Sequence, residues 1–413
     1  MSRETIVRAL LVGGPMYDGL YARIPDFERE TGLRVEILDR LPHPELNARI
    51  KRDFGAGTAD VDLLSTHTKY APSQAEWLSA LDDVVPAADL EDLLPRPAEL
   101  ARIEGRLLQY PRNLDCRLVY FRRDLFEDEL RKREFERTRR RPLRAPESWD
   151  ELVEVSVFLS GSGLHGYLFP GRDSGLFGTF YELLVSAGGE LFDRDLRPAF
   201  ASPAGYYAAD RLAELHHRRK TTPAELPRWH YDEVSASYRR GEAAMVADWP
   251  GSDYLYGDSR HSAVADRTGM ALLPGGFGAR RAAYAGCHSF AIPSTARNPG
   301  GAARLLRFLT SLDSQVDEAR RGALPTRRSA FEAMKAEARG DARRGHRLEL
   351  LARTSEDLII PPRFAAYPDC EDAIWRGIQK AMTGALRPRE AVEEAARACA
   401  AVVDRAGMVM DTR

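Results

Sequence analysis

The stretch GEAAMVADWPGSDYLY, Gly241–Tyr256, decides how the rest of the chain is read. Ala243-Ala244-Met245-Val246 is compact and apolar, which suits a strand covered on both faces. Asp248-Trp249-Pro250-Gly251 ends it, because proline supplies no N–H to a ladder and Pro-Gly turns the chain. Trp249 is thereby held at the strand's carboxyl end, the edge of an open α/β sheet where ligands bind. An indole beside a carboxylate offers a sugar an apolar face to stack on and an acceptor for hydroxyls. The competing reading keeps Trp249 as a core aromatic, with Asp248 capping the next helix. This segment alone leaves both open.

Working outward, 413 residues are enough to bury a sizeable core and to divide into two lobes. With 44% hydrophobic and 30% charged residues, the composition is that of a globular protein. A net charge of -2 argues against a polyanion-binding role, so no nucleic-acid partner is expected. The mixed-charge run from Glu127 to Arg144 reads as a solvated helix, since acidic residues interrupt the basic ones. Cys116, Cys287, Cys370 and Cys399 are scattered without CxxC or His-paired spacing, which gives neither a metal signature nor an evident disulfide framework and predicts mostly buried thiols. No apolar run reaches the roughly 18–20 residues of a membrane span. At the N-terminus, Ile6–Val12 is too short for a signal core and lacks a small-residue cleavage site, so it reads as the first strand. The expectation is either a cytoplasmic protein or one whose leader has been removed.

From that first strand the chain passes through Gly13-Gly14-Pro15-Met16-Tyr17 into a helix bearing Leu20, Ile24 and Phe27 on one face. Thr31-Gly32 closes it, 33–38 alternates as a second strand, and a helix begins near Pro44. Residues 59–64 form a third strand, with Ser65-Thr66-His67 at its end. Strand–helix alternation over about 65 residues predicts a parallel α/β half-domain. The Gly13-Gly14-Pro15 loop after the first strand lacks GxGxxG, and GxxxxGK[ST] occurs nowhere, so no nucleotide cofactor is implied, nor any other. Further on, Ser148 and Glu151 have the spacing of a capping box, and His165–Phe169 is a strand ending in Pro170-Gly171-Arg172-Asp173. Phe177–Ala187 is predicted helical, Met270–Pro274 a strand, and Tyr284–Ile292 a strand with a kink-permitting Gly286. Gly322–Arg327 is a non-helical corner before a mostly helical C-terminal region.

Several of these pieces, in this order, resemble the extracellular solute-binding proteins of ABC transporters, family 1, the maltose-, oligosaccharide- and glycerol-phosphate-binding group. The matching stretches are Phe27–Val35, Val61–Leu64, Tyr110-Pro111 with Leu118–Phe126, Pro146–Leu152, Ser186–Asp193, Gly241–Met245, Gly286–Pro293 and Gly322–Arg327. Their joint order covers essentially the whole chain. The resemblance implies a two-lobed, type II periplasmic-binding-protein-like α/β fold with a ligand cleft between lobes. One lobe would be 1–112 plus 286–322 and the other 113–285 plus 323–413, with the hinge near 112–116, 284–287 and 322–325. It further implies a monomer that captures a carbohydrate or polyol by hinge closure and delivers it to ABC transporter permease subunits in the periplasm or at the cell surface.

Candidate ligand-binding residues follow from the lobe edges: Met16 and Tyr17, Thr66 and His67, Asn113 and Asp115, Arg172 and Asp173, Trp249 and Asp253, His288, and Arg327. Sugar pockets need planar polar groups that satisfy hydroxyls and an aromatic platform for the ring face. Arginines and histidines together suggest an acidic or phosphorylated sugar, because a guanidinium matches carboxylate and phosphate geometry. The histidines equally read as structural, and the arginines as surface ion pairs. Two rival functions share these residues. A glycoside hydrolase would use two facing carboxylates, from among Asp115, Asp248 and Asp253, about 5–9.5 Å apart. No GxSxG elbow is present, since Ser174 lies in GRDSG. An intracellular ligand sensor would use the same scaffold and signal by closure.

Overall fold

A computed structural model describes residues 5–14 and 17–407. The chain divides into two compact units: residues 1–115, 285–348 and 362–367, and residues 116–284, 349–361 and 368–413.

In the first unit, Ile6–Val12 pairs in parallel with Arg34–Leu41 on one side and with Leu63–His67 on the other. The sheet continues through Ala283–Ala291 and Tyr110–Cys116 to the two-residue strand Leu324–Pro325. Val7, Ala9 and Leu11 point to one core with Phe27, Leu305 and Leu309, whereas Leu10 and Val12 point to another with Leu46, Ile50 and Phe54. That alternation is the period of two expected of a strand buried on both faces. The helix Ile24–Thr31 ends where Gly32 adopts φ 69°, its N–H donating to the Glu28 carbonyl.

The corner at Gly322–Arg327 is non-helical, but it belongs to this unit and not to the second. Leu324 and Pro325 pair with Leu114 and Asn113, and the Arg328 N–H donates to the Asp92 carbonyl. Those backbone hydrogen bonds keep 323–348 with the first sheet. The resemblance had implied that 323–413 joins 113–285 in the other lobe.

The second unit is built on a four-stranded sheet ordered Thr268–Ala271, Leu118–Arg122, Ala243–Asp248, His165–Leu168. Ala243–Asp248 is interior, antiparallel to Leu118–Arg122 and parallel to His165–Leu168, and all six of its residues are buried. The Thr268 strand starts and stops earlier than the predicted 270–274. The helix Trp149–Leu159 is capped by Ser148, whose hydroxyl accepts from the Glu151 N–H at 3.2 Å. Glu151 completes the cap one residue further back than a simple capping box, accepting from the Glu147 N–H at 2.9 Å. The helix Asp173–Ser186 begins earlier than predicted and is almost wholly buried. It carries Glu182 to Arg117, and both side chains are fully enclosed. The mixed-charge run forms the helix Glu129–Arg139, exposed except for Phe135 and a few half-buried positions.

Candidate functional site

In the first unit the site starts from strand register. Leu63–His67 runs antiparallel to Ala283–Ala291, setting His67 opposite His288 and Thr66 opposite Ser289. Gly286 lies under the His67 ring: a β-carbon there would stand 2.2 Å from Nε2. The expected kink is absent, and the strand runs unbroken from Ala283 to Ala291. The glycine serves close approach instead, letting an imidazole lie across the strand. Gly286→Ala is therefore expected to cost about 1–3 kcal/mol of stability by overpacking, read as a lowered denaturant midpoint. A wild-type midpoint would mean that the ring moves aside freely.

His43 opens the helix His43–Gly55, directly after the strand Arg34–Leu41. Its Nε2 lies 2.5 Å from His288 Nδ1, and the two rings are tilted with centroids 4.5 Å apart. On the other side of His288, Nε2 faces Asp115 Oδ2 at 2.5 Å and Tyr17 Oη at 3.3 Å. Asn113 Nδ2 donates to Asp115 Oδ1 at 2.9 Å. A carboxylate can only accept, so His288 carries its proton on Nε2, and its Nδ1 accepts from His43. Arg112 sits over the Tyr17 ring and is neutralised by Glu318, with Nε donating to Oε1 at 3.2 Å. Tyr17, His67, Asn113, Asp115 and His288, all sequence candidates, thus lie together. His43 was missed, although the signal was available: His43-Pro44 follows a strand, at the same kind of edge that pointed to His67.

Burial drives both His43 and His67 well below the ordinary imidazole range, with His288 next to each adding to the effect. Both stay neutral in the folded chain, while in the unfolded chain they protonate near pH 6.5. Below that pH the unfolded state binds more protons, so stability falls as pH drops. The loss is about 1.4 kcal/mol per pH unit for each group until its folded pKa is reached. Asp248 in the second unit acts in the opposite sense, because burial pushes its carboxyl up to about 6. Acid relieves its cost only below that value. The clean window is therefore pH 7.5 to 6, where the fall in melting temperature should be smaller in His43→Gln and His67→Gln than in the native chain. Equal slopes would show that these rings are solvated.

The other candidates of this unit lie apart from the cluster. The Thr66 hydroxyl is buried and donates to Gln74 Oε1 at 2.7 Å. Arg327 is committed to structure: it pairs with Asp89 at 3.0 Å and Asp92 at 3.2 Å, and its Nε donates to the Thr310 carbonyl at 2.7 Å. Met16 lies outside the described residues.

In the second unit Trp249 follows the interior strand and is half-buried. Its ring centroid is 5.2 Å from that of Tyr231 and 5.9 Å from that of Tyr284. Its backbone is fixed at both ends: the N–H donates to Asp248 Oδ1 at 2.8 Å, and the carbonyl accepts from the Tyr120 hydroxyl at 3.0 Å. Asp248 is fully buried and takes the Tyr256 hydroxyl on its other oxygen. It holds the turn and is not a group that solute reaches, and it does not provide the side-chain cap of the next helix, Ser252–Tyr256. Asp253, in the first turn of that helix, is half-buried. Arg172 pairs with its neighbour Asp173 at 2.7 Å, and Asp173 adopts φ 54°, a conformation seldom seen outside glycine, asparagine and aspartate. Tyr231 and Tyr284 were not among the sequence candidates. The Tyr231 hydroxyl is buried and finds no hydrogen-bond partner among the described residues.

Two α/β units exchanging chain segments, each with aromatic and polar side chains at its strand ends, define a binding-protein architecture. The sequence pattern of the bacterial extracellular solute-binding proteins matches residues 13–316, and the chain belongs to that family. It is 26% identical over 298 residues to a probable ABC transporter-binding protein of Deinococcus radiodurans, covering 70% of this chain and 67% of that one. It is also 26% identical over 341 residues to a probable amino-acid ABC transporter periplasmic-binding protein, y4oP, of Sinorhizobium fredii, covering 79% and 73%. Among solved structures, the maltose-bound MalE3 of T. maritima superposes with a TM-score of 0.85 at 26% identity, covering 95% of this chain and 99% of that one. Among the described residues, no helix is long and apolar enough to cross a membrane.

Proposed function

We propose that this chain binds a neutral carbohydrate or related polyol and delivers it to an ABC importer. The observation that carries the reading is Trp249, a half-buried residue at the carboxyl end of the interior strand, beside the Tyr231 hydroxyl, which finds no hydrogen-bond partner among the described residues. An indole face suits the C–H surface of a sugar ring, and a buried hydroxyl without a partner favours a ligand that can satisfy it. The His43–His288–Asp115 chain and Asn113 add donors and acceptors that match hydroxyls. In this reading binding does no chemistry, and the protein works as a monomer outside the cytoplasm.

Ligand charge is part of the proposal. The arginines that suggested an acidic sugar, Arg172 and Arg327, already face Asp173, Asp89 and Asp92. That leaves a neutral solute as the better match. The hydrolase reading loses Asp248, whose oxygens are taken within the fold.

A thermal-shift screen against neutral mono- and oligosaccharides, alditols, uronic acids, sugar phosphates and amino acids tests this. A ligand at 100 times its Kd stabilises by about 2.7 kcal/mol. Neutral hits recovered unchanged support the reading; an amino acid or phosphate hit overturns the ligand class, and a consumed hit overturns the absence of catalysis.

A further inference from the structure

The C-terminal helices Tyr367–Met382 and Pro388–Arg405 are joined by residues 383–387, a connection short enough to make them antiparallel neighbours. They approach unusually closely. A β-carbon at Gly377 would lie 2.5 Å from that of Ala395 and 3.2 Å from the Ala391 carbonyl oxygen. Lys380 pairs across the same hairpin with Glu394 at 2.5 Å. Cys370 lies two turns before Gly377 and Cys399 about one turn beyond Ala395, so antiparallel packing sets them face to face. Cys370 Sγ lies 3.9 Å from the Cys399 carbonyl oxygen, and both residues are fully buried. The Cys399 thiol is pushed up first by its hydrogen bond with the Cys370 thiol and then by burial.

We infer that Cys370 and Cys399 form a disulfide that staples the C-terminal helical hairpin when the chain meets an oxidising medium. Bridged cysteines need α-carbons about 4.4–6.8 Å apart, a separation that helices reach only where small residues let their backbones touch, as at Gly377. The oxidant is another disulfide, of the glutathione or thiol-oxidase class. The thiolate of one cysteine attacks it, forming a mixed disulfide and releasing one thiol. The thiolate of the second cysteine then attacks the protein sulfur of that bond and releases the other thiol. Two electrons pass to the oxidant, and the two protons lost by the cysteines end on its thiols. Because both thiols are buried and Cys399 is held protonated, the reaction proceeds through opening of the hairpin or during folding. Extracellular proteins meet such conditions, which is where the family's members work. The inference itself does not depend on which solute is bound.

The purified full chain, both folded and during refolding from denaturant, is placed in oxidised glutathione buffer and then alkylated under denaturing conditions. Before alkylation the expected product has a mass 2 Da lower than the reduced chain; after it the product carries two alkylated cysteines instead of four and yields a proteolytic fragment joining 370 to 399. Its melting temperature rises on oxidation, and Cys370→Ser and Cys399→Ser lose that rise. Bond formation on refolding alone supports the inference equally. Four free thiols under both regimes overturn it, as does a bridge between Cys116 and Cys287 in its place. A double Cys370→Ser/Cys399→Ser variant that still loses two thiols would identify that alternative.

Discussion

Glu182→Ala should lower unfolding stability by about 3–5 kcal/mol, the cost of leaving one partner of a buried ion pair uncompensated. Arg117 and Glu182 are both fully enclosed, with Arg117 Nε donating to Glu182 Oε1 at 2.9 Å and Nη2 donating to Thr179 Oγ1 at 3.1 Å. The same Glu182 oxygen accepts the Tyr284 N–H at 2.9 Å. Burial pushes the carboxyl up and the guanidinium opposes it. Truncation therefore strands a cation and an N–H together at a fully enclosed position. Glu182→Gln keeps an acceptor for Tyr284 and should fall between the native chain and the alanine variant. Replacing both partners, as Arg117→Met with Glu182→Leu, should recover most of the loss, because the desolvation cost leaves with the charges. Urea denaturation of the four proteins reads this directly. A loss below about 1 kcal/mol for Glu182→Ala would mean that solvent reaches the pair.

Trp249→Ala should weaken the solute found in the ligand screen by about 2–4 kcal/mol, the range of an aromatic anchor removed from a binding surface. By the usual conversion that is roughly 30- to 1,000-fold in Kd. The strand beneath should hold, since Asp248 takes its hydrogen bonds from the Trp249 backbone and from Tyr256, neither of which the substitution removes. Tyr231→Phe isolates the hydroxyl. It removes a group that finds no partner among the described residues, so folding stability should stay level or rise while affinity drops by about 0.5–1.5 kcal/mol. Calorimetric titration beside a melting curve separates the two quantities. Unchanged affinity in both variants would make the Trp249–Tyr231–Tyr284 group a core cluster and Trp249 a core aromatic.

Much of the architecture was legible because it rests on local rules. Ile6–Val12 alternates between two cores, and Gly32 can stop its helix because glycine enters the left-handed region cheaply. Ala243–Asp248 reads as interior because it is apolar without alternation and is cut off by Pro250-Gly251. The strand-end rule placed Tyr17, His67, Asp115 and His288 on the same list before anything showed that they meet.

What the amino-acid sequence determined by itself, then, is the order of strands and helices and the class of residue found at each strand end. These depend on side-chain periodicity and backbone preference within a few residues. The tertiary structure alone decided which of those residues share an environment. Register set His67 against His288 and brought His43 in beside them, while the Leu324–Leu114 pairing kept 323–348 with the first sheet. It also showed Arg327 and Arg172 facing aspartates, and Gly286 serving contact with a ring instead of a bend. The physical reason is that a hydrogen bond, an ion pair or a steric contact depends on distance in space, and residues 43, 67, 115 and 288 acquire theirs only when the strands that carry them are aligned.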